Sequence, residues 1–373
     1  MKKIISIALA LLMVAVMLPV MAMAADVNDA TTLKAAVATS GEVTLGDDIT
    51  ASITVKNGNT VTLNLNGHKL TNEAGSDTIY VEMGGTLIIK GTGTVDNVSH
   101  GRAAIFNNGT VTLNGGTYTR SAEVGTGKDP DSNNGNSWYT ICNHGVMTVN
   151  AGVTVTNTGT FSSVFENGYQ SYTGNNERSN HVAGTNNAAP ALTINGGTFE
   201  GGKITIKNDD GGILKIGGGR FTNNGNRVVF NANKAEINGG EFYCPATYFG
   251  NEIAVDTLYA DGGQNAGQLT ITGGTFDGKV TQSNGAVTTV SGGTFKKGVD
   301  KSYIVDGKKL DANGNVVPET ITIIVPSEGG STTTTPSTDN TKNPSTGAND
   351  FVGVAAALAV VSLLGAAAVI RKK

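Results

Sequence analysis

A short phrase built around two glycines recurs along the chain and constrains its fold more than any other feature. A clear copy is ALTINGGTFEGG, which begins at Ala191. Its closing aromatic residue returns at spacings of 22, 21, 34 and 19 residues, as Phe199, Phe221, Phe242, Phe276 and Phe295. Such repetition indicates a repeat architecture in which each unit buries its apolar face only against its neighbours.

The units are made of short strands. In RVVFNANKAEINGGEF, which begins at Arg227, apolar and polar residues alternate over short runs separated by turns. Alternation with a period of two is typical of strands, and a helical period is absent from the repeats. About 22 residues with two or three bends can close one coil. The sequence therefore predicts an all-β fold, a right-handed parallel β-helix of roughly ten coils.

Weaker copies extend the series towards the N-terminus. Their closing positions are apolar or aromatic, at Leu70, Val95, Tyr118 and Val155. The glycines of the repeated phrase fit the corners of the coils, because a corner requires backbone with positive φ, which Gly tolerates. The chain contains 52 Gly in 373 residues, about twice the usual share of roughly 7%.

The N-terminal residues carry an export signal. Residues 1–25 combine a basic start, an apolar core and small residues before a cleavage point, which is typical of a secretory signal peptide. Residues 26–40 follow as an N-terminal cap of the β-helix. Leu33, Ala36 and Val37 share one helical face there, with Asn28 or Asp29 as the candidate N-cap.

The C-terminal residues carry an anchoring signal. The β-helix is expected over residues 41–325, followed by a Ser/Thr/Pro-rich tether over 326–350. Residues 351–373 form a predicted transmembrane helix of 20 apolar or small residues with a basic tail. Immediately before the span stands the pentapeptide Asn343, Pro344, Ser345, Thr346 and Gly347.

This arrangement resembles the sorting signal of sortase-anchored, Pro-x-Thr-Gly type surface proteins of Gram-positive bacteria, with Asn343 in place of the commoner Leu. The resemblance implies that a sortase cuts between Thr346 and Gly347 and joins Thr346 to peptidoglycan. The precursor would be held in the membrane, and the mature protein would be secreted and covalently attached to the cell wall. A plain single-span membrane anchor is the alternative.

Charge and cysteine positions limit the binding partners and the cross-links that the protein can have. A net charge of −4 argues against nucleic acid, and we expect a monomer without a cofactor. The two cysteines, Cys142 and Cys244, fall three coils apart, roughly 14 Å along the axis, which is too far for a disulfide.

The sequence gives only weak evidence for catalytic residues. The adjacent Asp209 and Asp210 could serve glycoside hydrolysis, and the fold is similar to that of pectate-lyase-like proteins. However, they align with corner residues of other coils, where Asp suits a turn. Of the motifs of the polygalacturonases with this fold only the Asp pair is present, and the calcium-binding acids and the catalytic Arg of the pectate lyases have no counterpart here. Asp129–Gly135 resembles the start of a calcium loop, but Thr140 occupies the twelfth position instead of Glu. No catalytic residue and no metal site is assigned.

One side of the coils differs from the rest. Aligning the units places five apolar residues inward, at Ile105, Ile141, Val164, Ile206 and Val229. The residues after them are expected outward, at Phe106, Cys142, Phe165, Lys207 and Phe230. The next positions form an expected structural ladder of Asn107, Asn143, Glu166, Asn208 and Asn231. About 15 and 22 extra residues interrupt the repeat on two neighbouring coils.

The outward aromatic residues and those of the insertions make up a candidate binding surface, consisting of Phe106, Trp138, Phe165, Tyr169, Tyr172 and Phe230. Alternatively, the insertions only cover the outward phenylalanines. The expected function is that of a wall-anchored, adhesin-like binding or display stalk for host or matrix glycans or proteins. The alternatives are a carbohydrate-active enzyme, either a polysaccharide lyase or a glycoside hydrolase, and a purely structural wall protein.

Overall fold

The computed structural model describes residues 25–122, 138–157, 163–168, 190–209, 211–224, 226–245, 250, 252–258, 267–283 and 285–319. These residues belong to one compact unit. The predicted tether, sorting motif and membrane span lie outside the described residues, as do residues 1–24 of the predicted leader and most of the two insertions. Among the helices of the described part, none is long and apolar enough to cross a membrane.

Three parallel sheets, named A, B and C here, form the three sides of a coiled chain. Each coil contributes one strand to sheet A, one to sheet B and one to sheet C before the chain returns to sheet A. Strands of successive coils pair in parallel in all three sheets. The chain is therefore a parallel β-helix, as the repeat predicts. In the described residues sheet B contains ten strands, in line with the predicted number of coils.

The strands are short, as expected for a coil of about 22 residues. Sheet A contains Ala25–Val27, Gly41–Leu45, Thr60–Asn64, Thr86–Lys90, Thr110–Leu113, Val146–Val149, Ala191–Ile194, Ile213–Ile216, Lys234–Ile237, Gln268–Ile271 and Val287–Val290. Sheet B contains Ile49–Thr50, Lys69–Thr71, Thr94–Asp96, Thr117–Thr119, Thr154–Asn157, Thr198–Gly201, Arg220–Thr222, Glu241–Tyr243, Thr275–Asp277 and Thr294–Phe295. Sheet C contains Ile53–Val55, Ile79–Val81, Ile105–Asn107, Ile141–Asn143, Phe165–Asn167, Ile204–Asn208, Arg227–Asn231, Ile253–Thr257 and Lys279–Gln282.

The interior contains a column of stacked rings contributed by sheet B. The closing residues of the repeated phrase pair with one another from coil to coil, which confirms the register read from the sequence. Each ring lies 4.8 Å from the next, with planes within 8° of parallel, through Phe199, Phe221, Phe242, Phe276 and Phe295. The 4.8 Å separation equals the spacing of paired strands, so the backbone and the stacked rings advance by the same distance along the axis from one coil to the next.

The two glycines of the repeated phrase are required for different reasons. The second one has positive φ, 102° at Gly274 and 107° at Gly293, as expected for a corner. The first one has no such dihedral. A Cβ at Gly273 would overlap the Asn238 carbonyl oxygen, and a Cβ at Gly292 would overlap the Thr272 carbonyl oxygen. Positive φ alone therefore does not explain the Gly-Gly pair, because the first glycine is there to let the preceding coil approach.

A short helix covers the N-terminal end of the interior. It spans Ala30–Val37, and the Asp29 carboxylate accepts the backbone N–H groups of Thr31 and Thr32 at 2.8 and 2.9 Å. Of the two predicted N-cap candidates, Asp29 has this role. Leu33 and Val37 are buried against the first coils.

The C-terminal end is covered as well. Ile304 adds a partial coil by pairing with Val290 in sheet A, close to the predicted position at Tyr303. An antiparallel hairpin of Lys308–Leu310 and Val316–Pro318 follows, which the sequence did not indicate. Phe295 N donates to Gly314 O and Val316 N donates to Gly293 O, so this hairpin closes the last coil of the described chain.

A candidate binding face on sheet C

The outward column of sheet C differs from the predicted one at a single coil. Phe165 pairs with Ile141 and Ile206, is 0% exposed and belongs to the interior. The prediction that Phe165 faces outward and contributes to a binding surface is therefore wrong. Glu166 takes the outward position instead, between Cys142 and Lys207.

A ladder of buried side-chain amides explains this register. Four successive Nδ2–H···Oδ1 bonds of 2.7 to 2.8 Å connect the corner residues after the sheet C strands, Asn107, Asn143, Asn167, Asn208 and Asn231. The predicted ladder had Glu166 in the place of Asn167. In VFENG two apolar residues precede two polar ones, so alternation alone permits either frame. The amide of Asn167 decides it, because a buried amide needs its partners.

The outward column changes character along the axis. Its members, in order, are Tyr80, Phe106, Cys142, Glu166, Lys207, Phe230 and Asp256. Half-buried rings therefore lie on either side of a charged centre. Phe106 packs against Tyr80 at 5.7 Å and edge-on against His144 at 4.9 Å between ring centroids.

Trp138 and Tyr139 cover the middle of this column. Tyr139 is buried together with Ala103 and Cys142, and Phe106 and Trp138 pack against this small cluster. The Trp138 and Tyr139 rings lie 6.2 Å apart. The structure thus brings Trp138 and Phe106 together, as the candidate surface requires, and places Phe230 further along the same face. Tyr169 and Tyr172 lie outside the described residues.

The surroundings of the Cys142 thiol make it unreactive. Cys142 is 1% exposed. Burial raises the pKa of the Cys142 thiol well above its usual value, and the nearby Glu166 and Asp77 carboxylates raise it further. A protonated thiol is a poor nucleophile. Cys142 and Cys244 are both free and buried, as predicted from their distance along the axis.

Lys207 joins the charged and aromatic parts of the face. Its Nζ lies 2.6 Å from Asp209 Oδ2, donates to Tyr139 Oη at 3.2 Å and lies over the rings of Tyr139 and Phe230. Burial lowers the pKa of Lys207, but Tyr139, Asp209 and Glu166 outweigh burial and the net shift is upward. The ammonium group is therefore held charged in a largely covered position.

Ionisable side chains continue on both sides of Lys207. The Nε2 atom of His144 lies 3.5 Å from Glu166 Oε2. Arg227 pairs with Asp256 at 2.5 Å and lies over the Phe230 ring. Asp209, considered above as a catalytic candidate, is 0% exposed and forms a corner in which Gly212 N donates to its carbonyl oxygen. This agrees with the interpretation of Asp209 as a turn residue, while Asp210 lies outside the described residues.

Buried charge is concentrated on this side of the molecule. Six acidic, basic or histidine side chains are buried in the described part of the chain. One of them, Asp96, is the last residue of a sheet B strand, and the other five lie on sheet C or at its two corners: Arg120, His144, Glu166, Asp209 and Asp256. The extra residues leave and rejoin the coils at these same corners. Burying charge is costly, and such groups cluster at functional sites.

Sequence reasoning missed the Tyr139–Lys207–Glu166 network. A signal for Tyr139 exists: the equivalent residue two places before each neighbouring sheet C strand is small, Ala103 or Ser163. No group of three or more His, Cys, Asp or Glu that could hold a metal ion occurs among the described residues. The calcium-loop-like stretch lies outside them.

Comparisons with known proteins add nothing to this geometry. No family model matches the chain, and no curated protein or solved structure matches it either.

Proposed function

We propose that this chain is a cell-wall surface protein whose right-handed β-helix displays a ligand-binding face on sheet C. The observation that carries the proposal is a coincidence of three features on one side of the molecule. Half-buried aromatic rings and five of the six buried ionisable groups lie on sheet C or at its corners, and the described residues that border both insertions lie at those same corners. On the other two faces the outward positions of the described strands are mostly Thr and charged residues, and buried ionisable groups are rare there.

The ligand proposed for this face is a glycan or a protein of a host or matrix surface. Aromatic rings offer large rigid contact areas at low entropic cost, and Lys207 and Arg227 keep cations against them. A wall-anchored array can rely on weak individual contacts, because many copies bind together.

The binding proposal is tested with the full chain carrying Trp138→Ala and Phe230→Ala together. We expect this variant to lose attachment to glycan and matrix-protein arrays while it keeps its circular dichroism spectrum. The matched control is Val146→Ala with Val287→Ala, two exposed residues of sheet A. Equal binding by both variants, or no ligand for the unaltered chain, would remove the proposal.

Anchoring by a sortase is proposed from the pentapeptide at 343–347, the apolar stretch and the basic tail. Thr346→Ala should leave the protein uncleaved and held in the membrane, because the acyl-donor residue is lost. Cell fractionation after muramidase digestion measures the wall-linked share. A wall fraction unchanged by the substitution would point to another mode of attachment.

A carbohydrate-active enzyme is the second candidate, supported by the approach of Glu166 and Asp209 to Lys207. Glycoside hydrolysis uses a pair of carboxyl groups, and a lysine can take part in proton transfer. Both carboxylates are buried, at 1% and 0% exposure, which favours the binding proposal. The enzyme proposal would be preferred if the protein released reducing or unsaturated ends from plant or host polysaccharides and Glu166→Gln abolished this release.

A further inference from the structure

A second concave surface lies away from sheet C, on the outer side of sheet B. Tyr243 is the only aromatic residue among the exposed large side chains of the described residues, at 43% exposure. It borders a cavity of about 310 Å³ together with Arg220, Glu241, Thr275, Asp277 and Lys296. A cavity of this size is at the lower end of the range for small-ligand sites.

A longer groove adjoins this cavity and runs along the solenoid axis. It shares Arg220, Glu241 and Thr275 with the cavity and has a volume of about 860 Å³. Its floor consists of backbone at the corner between sheets A and B, formed by Gly219, Gly240, Gly274 and Gly293. The far end reaches Asn315 and Val316 of the C-terminal hairpin. Because the floor lacks side chains, a ligand can approach the main chain over several coils.

The polar groups around the groove are balanced in charge. Arg220 and Glu241 are cross-strand neighbours, and in the described part of the chain neither side chain forms an ion pair or a hydrogen bond. Asp277 and Lys296 pair at 3.1 Å in an exposed position. Two cations and two anions favour a ligand that is uncharged overall and rich in hydroxyl groups, which can donate to the carboxylates and accept from the cations.

Tyr243 occurs in a single coil and is not part of the repeat. The positions paired with Tyr243 in the neighbouring coils are Thr222 and Asp277. The residues paired with Glu241 are Arg220 and Thr275. The interior ring column, in contrast, repeats at every coil from Phe199 to Phe295. The architecture therefore does not require a ring at Tyr243, and a role in recognition explains it better.

We propose that this surface, named the Tyr243 groove, binds a linear neutral polysaccharide along the solenoid axis. One sugar ring lies against the face of Tyr243, and the next sugars follow the glycine floor towards Asn315. Paired strands repeat every 4.8 Å, which is close to the length of one sugar in an extended chain. The proposal goes beyond the sheet C face and does not depend on it, since the two surfaces share no residue.

The test measures binding of unbranched neutral glucan and mannan oligosaccharides of three to six sugars to the full chain in mild detergent, by isothermal titration calorimetry. We expect Tyr243→Ala to weaken binding by about tenfold or more, and Tyr243→Phe, which keeps the ring, to stay close to the unaltered chain. Longer oligosaccharides should bind more tightly up to the length of the groove. Thermal unfolding of each variant checks that the fold is kept.

Trp138→Ala separates this proposal from the sheet C face. It should leave neutral-oligosaccharide binding unchanged even if it abolishes binding to an array ligand. The proposal is overturned if no neutral oligosaccharide binds at millimolar concentration, if Tyr243→Ala binds as the unaltered chain does, or if polygalacturonate or a basic peptide binds in preference.

Discussion

The sheet B side of the coils, which carries the phenylalanine stack, and the sheet C side are built on the same plan but are held in register differently. In the first region identical rings stack at 4.8 Å from Phe199 to Phe295, so shape alone fixes the frame. In the second region the amide ladder from Asn107 to Asn231 fixes it. Apolar packing tolerates small shifts, whereas buried amides lose their partners altogether.

The difference shows where a repeat protein can carry function. Every member of the ring column has the same task, so its chemistry cannot vary. The outward column of sheet C varies at each coil, from Phe106 through Cys142 and Glu166 to Lys207. Such variation is possible because the ladder beside it supplies the register independently.

The largest expected effect is on the stack. Phe221→Ala removes a ring that is 0% exposed and lies between Phe199 and Phe242. Because the flanking rings are held by their own strands, the cavity cannot close, and we expect a loss of about 3–5 kcal/mol in the free energy of unfolding. Urea denaturation measures it. A loss below about 1 kcal/mol would mean that the stack adapts more freely than close packing allows.

A smaller effect is expected at the ladder, where Asn167→Ala leaves the Asn208 side-chain carbonyl without its donor. The Asn143 amide loses one acceptor but keeps the carbonyl oxygens of Gly145 and Ala191. At about 1–3 kcal/mol for one buried unsatisfied group, the free energy of unfolding should fall by about that amount. Asn150→Ala is the matched control, because Asn150 occupies an exposed ladder between Asn114 and Asn195. We expect it to cost less than about 1 kcal/mol, and equal losses would show that burial does not matter.

The smallest effect concerns pH. Burial raises the pKa of Cys142 well above its usual value and also raises that of Cys244. Above about pH 8.5 the unfolded thiol loses its proton while the folded one keeps it, so stability should fall as pH rises, by up to about 1.4 kcal/mol per pH unit for each thiol. Cys142→Ala should flatten this alkaline slope more than Cys244→Ala does. Urea unfolding between pH 7 and 10 under reducing conditions measures it, and identical slopes in both variants would contradict the assignment.

Much of the fold could be predicted because the repeat itself encodes it. The closing residues from Leu70 to Phe295 pair as the sequence aligned them. The misplacement of Phe165 arose where an insertion borders a coil and alternation leaves two frames open. The C-terminal hairpin was not predicted because it occurs only once in the chain. The role of the first glycine of each pair was not predicted either, because it depends on the carbonyl group of the neighbouring coil.

The candidate site was less predictable for a related reason. Trp138 and Phe106 could be singled out as rings off the repeat, and the structure places them together. The pairing of Lys207 with Tyr139 joins residues that are 68 positions apart. No local pattern specifies such a contact, since it depends on how many residues each intervening coil contains.

The stacked construction also bears on how the molecule can change over evolutionary time. Strand pairing links each coil only to the ones above and below, and the corners between sheets A and B from Gly196 to Gly293 share the same Gly-Gly pair. Unequal recombination between two such corners would add or delete a whole coil and leave the surviving coils with partners of the same kind. The distance between the C-terminal hairpin and the sheet C face can thus be altered in steps of 4.8 Å, without a new core.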